Sequence, residues 1–139
     1  MDKFTWKEEY SVGVPSIDGQ HKIFFDITND LIALAQRPDV SRPEIQAVAK
    51  QLGDYTLSHF KTEEHYFGAV GYFDAARHVK AHDSHRRKVL EFIDRLDDPA
   101  CDARAIAQEL AVYSMRWLVE HVLFEDKKYA PFFKAHGVE

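Results

Sequence analysis

Four short patterns space histidine and carboxylate as a metal site requires: Gln20-His21, His59-x-x-x-Glu63, His78-x-x-x-His82 and His121-x-x-x-x-Asp126. They offer five imidazoles and two carboxylates, too many for one zinc and well suited to two irons. An α-helix turns by about 100° per residue, so positions four apart lie nearly one above the other. His59 with Glu63, and His78 with His82, can therefore each converge on one centre. His121 and Asp126 stand about 140° apart around an unbroken helix. They converge only if the helix ends between them or the aspartate reaches back. Taken singly, a His-x-x-x-Glu pair is commonly a surface hydrogen bond, and a lone histidine such as His21 is commonly a core residue. All four patterns on the inward stripes of different helices argue for a metal, because buried ionisable groups are costly unless paired or coordinated.

The donor types narrow the choice of metal. Zinc favours four ligands, often with thiolate, and no His-Glu-x-x-His pattern occurs here. Magnesium and calcium favour oxygen. Imidazole combined with carboxylate suits iron, with manganese, copper or nickel as weaker candidates. The di-iron bundles built on Glu-x-x-His motifs and four carboxylates do not fit, since no Glu-x-x-His is present.

Helices must bring these groups together, and the chain's punctuation outlines them. Pro15-Ser16 precedes a helical run expected over about 17–37, closed by Arg37-Pro38. Ser41-Arg42-Pro43-Glu44 is a capping box with proline in the first turn. The helix that follows is expected over about 41–67, broken by Gly68 and Gly71. A third is expected over about 74–96, stopped by Asp97-Asp98-Pro99, and a fourth over about 102–123, capped by Asp102. Pro131 limits any short C-terminal helix. Apolar stripes of helical period run through Ile45, Val48, Leu52 and Tyr55 into His59, and through Ile106, Leu110, Tyr113 and Trp117 into His121. Phe24, Phe25, Thr28, Leu31 and Ile32 follow His21, and Val89, Phe92, Ile93 and Leu96 follow His82. The expected fold is all-α: a single domain over 1–139, an up-down-up-down four-helix bundle with an extended N-terminal arm (1–15) and a short C-terminal helix.

Composition removes several alternatives. A content of 45% hydrophobic and 29% charged residues is ordinary for a soluble globular protein. The net charge of −5 gives no basic face for nucleic acid. No segment approaches the roughly 18 apolar residues of a membrane span. Met1 to Tyr10 is charged and aromatic rather than a secretory signal, so the expected compartment is the cytoplasm. Cys101, the one cysteine, cannot form an internal disulfide and reads as a spectator thiol in a loop.

These residues resemble the hemerythrin family in its bacterial single-domain form. The resemblance runs from Trp6 and Val12-Gly13-Val14 through Ile17-Asp18-Gly19-Gln20-His21, His59-Phe60-Lys61-Thr62-Glu63-Glu64 and His78-Val79-Lys80-Ala81-His82-Asp83. It continues through Trp117-Leu118-Val119-Glu120-His121 to Asp126. It implies one iron held by His78, His82 and His121, and a second held by His21 and His59. Glu63 and Asp126 would bridge them beside an oxo or hydroxo group. The open coordination position, where dioxygen binds, then falls on the iron with two histidines. Phe24, Phe60, Trp117, Leu118 and Val122 match the family's dry apolar lining, although all five also serve as core. The implied function is reversible dioxygen binding for storage, transport, delivery or sensing, rather than catalysis. The alternatives are an enzyme acting on nitric oxide or peroxide, and an iron buffer. One departure is His85, on the core stripe where the family more often has an apolar side chain; it reads as a hydrogen-bonded core histidine or a modifier of the site. His65 and His136 read as surface residues, and Tyr129 as a neighbour of the cluster or a closure of the bundle.

Overall fold

A computed structural model describes residues 3–138; Met1 and Asp2 of the expected arm, and Glu139, lie outside the described residues. Helix α1 spans Pro15–Gln36. It starts earlier than expected because proline in a first turn gives up an amide that has no helical partner anyway. Helix α2 spans Arg42–Val70 and opens on the expected capping box: Ser41 Oγ accepts from the Glu44 amide, and the Glu44 carboxylate accepts from the Ser41 amide. It passes through Gly68 and ends only at Gly71, whose φ of 65° is left-handed. The expectation that Gly68 breaks this helix at Phe67 was wrong. One glycine costs a helix about 1 kcal/mol, whereas a left-handed cap ends it.

Helix α3 spans Ala75–Leu96, and α4 spans Ala103–Glu120 with the Asp102 carboxylate accepting from the Ala105 amide at 3.2 Å. The fourth helix does not stop at Leu123 as expected. It widens into a π-helical turn, His121–Asp126, and resumes as α5, Lys127–Ala135. Pro131 lies inside α5 and does not curtail it.

α1 packs against α2 and α4, α2 packs against α3, and α3 meets α4, as an up-down-up-down bundle with short connections requires. Two apolar clusters fill it. The larger joins Phe24, Leu31, Ile45, Leu52, Phe92, Leu110, Leu118 and Val122. Full burial of such side chains is worth about 1.5–3 kcal/mol each relative to exposure. The smaller joins Val12, Val14, Ile17, Phe67, Tyr72, Tyr129 and Phe133. The polar residues fall between the two. Along α1 the order is Ile17, His21, Phe24; along α2 it is Leu52, His59, Glu63, Phe67.

The arm is extended apart from a 3-10 turn at Glu8–Tyr10. Asn29 on α1 clamps it, accepting from the Phe4 amide at 2.6 Å and donating to the Phe4 carbonyl at 2.8 Å. The arm's Phe4, Trp6 and Tyr10 rings pack around Phe25. Among the described residues, no helix is long and apolar enough to cross a membrane.

Candidate metal centre

Helices α1, α2 and α3 and the π-helical continuation of α4 send donors into the polar layer. α1 contributes His21, α2 contributes His59 and Glu63, α3 contributes His78 and His82, and the π-helical turn contributes His121 and Asp126. All seven side chains are buried. The turn resolves the five-residue spacing in a way the sequence reading did not foresee, because the helix neither ends nor does the aspartate reach back. π-helical hydrogen bonds run from i to i+5, so residues five apart stack as residues four apart do in an α-helix. His121 Nε2 consequently stands 2.9 Å from Asp126 Oδ1.

The donors fall into two overlapping sets. One comprises His78, His82, His121, Glu63 and Asp126; the other comprises His21, His59, Glu63 and Asp126. Within each set the donor atoms lie within 4.8 Å of one another, close enough to hold one metal ion. The two carboxylates belong to both sets. Asp126 turns Oδ2 to His21 Nε2 at 3.0 Å and Oδ1 to His78 Nε2 at 3.0 Å. Glu63 Oε1 lies 2.9 Å from His59 Nε2 and 3.5 Å from His82 Nε2.

These contacts are close without being good hydrogen bonds. Both oxygens of Glu63, both oxygens of Asp126 and both ring nitrogens of His21 are buried without a hydrogen-bond partner. Leaving so many buried polar atoms unsatisfied costs about 1–3 kcal/mol each, and a bound cation would satisfy those that face the centre together. Three imidazole nitrogens also face one another: His121 Nε2 lies 3.0 Å from His78 Nε2 and 3.2 Å from His82 Nε2. Lone pairs crowded this way suit a cation, and the residues therefore fit a metal pair.

Outer partners orient two of the rings. His82 Nδ1 lies 2.8 Å from the Glu64 carboxylate, which Arg86 also holds at 2.8 Å. His59 Nδ1 lies 2.6 Å from Gln20 Oε1. Donation from Nδ1 leaves Nε2 unprotonated toward the centre, the state a metal needs. Sequence reasoning had placed Gln20 beside His21 without this role, and Glu64 had no assigned role; only its adjacency to Glu63 could have suggested one. Burial and mutual repulsion oppose ionisation of Glu63, and burial opposes that of Asp126. The surrounding imidazoles outweigh these effects and hold both carboxyls below their usual range. Burial also disfavours a charged His21, yet Asp126 and Glu63 leave its pKa raised.

The expected apolar lining divides between the two sets. Phe24 meets His59 edge-on at 6.0 Å and joins Leu118 and Val122 in the larger apolar cluster. Phe60 stacks on His82 at 3.7 Å, and Trp117 stacks on His121 at 4.3 Å. Both rings thus lie face to face with donors of the three-histidine set, although Phe60 also approaches His59 at 6.0 Å. His85 is buried, with Nδ1 3.2 Å from the Tyr113 hydroxyl. Tyr129 packs on Phe67, His78 and Phe133, its hydroxyl unpartnered, and closes the smaller apolar cluster. His65 and His136 are exposed, as their positions in the sequence suggest.

Comparison with known proteins finds relatives over nearly the whole chain. Residues 12–133 match the family described as Hemerythrin HHE cation binding domain. The chain is 31% identical over 129 residues to a bacteriohemerythrin of Clostridium acetobutylicum, covering 91% of this chain and 98% of that one. It is 32% identical over 136 residues to a bacteriohemerythrin of Stenotrophomonas maltophilia, covering 98% and 85%. A crystal structure of wild-type hemerythrin is similar with a TM-score of 0.85 at 30% identity, covering 94% of this chain and 97% of that one.

Proposed function

The chain belongs to the hemerythrin family, and from that premise we propose that it binds dioxygen reversibly at a pair of non-haem irons. The observation that carries this reading is the sharing of Glu63 and Asp126 between a three-histidine and a two-histidine donor set. His78, His82 and His121 would hold one iron and His21 and His59 the other, with Glu63 and Asp126 available to both. When bound, the irons supply the electrons and the open coordination position that dioxygen needs. The chain's own contribution is to orient the donors and keep water out. Gln20 and Glu64 fix the rings of His59 and His82, and the carboxylates offset the positive charge. Phe24 packs against His59 and shares an apolar cluster with Leu118 and Val122, while Phe60 and Trp117 stack on His82 and His121. Few carboxylates and many imidazoles favour binding over oxidation of a substrate. We place this storage, transport, delivery or sensing role in the cytoplasm, where the lone Cys101 is stable as a thiol.

Metal analysis should find two irons per chain, unchanged in Cys101→Ser; a single iron, or loss of iron in that variant, would refute the pair. Anaerobic reduction followed by repeated cycles of air and deoxygenation should return the same absorption spectrum each time. Loss of the oxygenated form with consumption of nitric oxide or peroxide would instead favour the enzymatic alternative.

A further inference from the structure

A column of aromatic side chains leads away from the ligand His121, and the proposed oxygen binding does not account for it. Trp117 stacks on His121 with centroids 4.3 Å apart and planes within 13°. It stacks as closely on His85, at 3.8 Å and 15°. His85 in turn stacks on Tyr113 at 5.4 Å and 17°, and its Nδ1 lies 3.2 Å from the Tyr113 hydroxyl. Tyr113 is half-buried and, with Arg116, Trp117 and Glu120, borders an open groove of about 800 Å³ along α4. The column therefore runs without a gap from a buried metal donor to solvent. Phe60 offers a contrast: it stacks on His82 but is itself fully buried.

Packing alone does not explain His85. Its Nε2 is buried without a hydrogen-bond partner, a cost that a leucine would not incur. What the imidazole adds is π-contact between Trp117 and Tyr113. Electronic coupling through stacked π-systems exceeds coupling through saturated side chains across the same gap. We propose that Tyr113, His85 and Trp117 form an electron conduit from the groove to His121, through which a soluble one-electron donor restores the oxidised iron pair. This inference rests on the function proposed above. Each ferric ion gains one electron and each of two donor molecules loses one; no covalent bond of the protein forms or breaks.

Two measurements test the conduit. In iron-free protein carrying Trp6→Phe, Trp117 is the only tryptophan left, and laser ionisation ejects one electron from its indole into water. Tyr113 then refills the indole and loses its phenolic proton to solvent in the groove, so tyrosyl radical absorption grows as tryptophanyl absorption fades. His85→Leu should slow this transfer by an order of magnitude or more, and Tyr113→Phe should abolish the tyrosyl product. In iron-loaded protein, His85→Leu should slow reduction of the oxidised form by a viologen radical to a similar degree, at unchanged iron content. Tyr113→Leu, at a half-exposed position, supplies the same reading should His85→Leu fail to fold. An unchanged rate in either measurement, or a tyrosyl product that survives Tyr113→Phe, overturns the proposal. A parent chain that loads no iron pair would refute the proposed function instead, and the iron-free measurement would still decide the conduit.

Discussion

At the scale of single residues, the two carboxylates carry more than the histidines around them, because each faces both donor sets. Glu63→Gln or Asp126→Asn should therefore lose the iron pair as a unit, whereas His59→Ala should chiefly weaken the iron on the two-histidine side. Metal analysis and absorption spectra of the three variants check this, and a normal di-iron spectrum in Asp126→Asn would contradict it. His85 offers a second test that needs no metal. Burial first, and then the neighbouring His121 and His82, lower its pKa from 6.5 to about 3. Its contribution to stability is thus complete above pH 6.5 and is lost as pH falls toward 3. In that window the unfolded chain takes up a proton that the buried ring refuses, at a cost of up to about 1.4 kcal/mol per pH unit. Urea titrations across this range should show a shallower loss of stability on acidification in His85→Leu than in the parent. Parallel curves would mean that His85 titrates normally in the fold.

At the scale of elements, α4 and its π-helical continuation do two jobs along one line. Leu118 is buried in the apolar cluster that also holds Phe24 and Val122, and His121 begins the widened turn three residues later. Leu118→Ala should cost about 2–5 kcal/mol of stability and, by admitting water, should accelerate autoxidation while iron content stays intact. Thermal unfolding and autoxidation measured on the same protein separate the two effects. Autoxidation at the parent's rate would leave Leu118 a packing residue only. Trp117 stacks on His121 and His85. It is the less direct test of a dry pocket.

At the scale of the whole molecule, seven buried donors sit between two apolar clusters, and the metal would tie all four long helices together. The clusters are large enough that helices should persist without it. The layer between them would then be left with buried polar atoms unsatisfied. Removing iron with a chelator should lower the melting temperature while leaving far-ultraviolet circular dichroism largely intact, since a ligand that binds only the folded state stabilises it by mass action. Full loss of helicity on chelation would show that the clusters cannot hold the bundle alone; an unchanged melting temperature would show that no metal spans it.

The order of residues along the chain already determined much of this. Helical periodicity, the Ser41 capping box and the pairs four residues apart are local properties, set by neighbours within a turn or two. They made the four helices legible, and the resemblance supplied the ligand set and its division between two irons. Helix ends were less legible. Gly68 stays helical because one glycine is a small cost inside a helix whose neighbouring residues, such as Phe67, are buried. The tertiary structure alone decided how His121 and Asp126 converge, since a π-helical turn is the product of packing on both sides and has no local signature in His121–Asp126. It alone revealed Glu64 behind His82 and Gln20 behind His59, whose partners lie 18 and 39 residues away. It alone placed Trp117 between His121 and His85. Contacts of that range depend on how the helices turn toward one another, which no stretch of sequence specifies by itself.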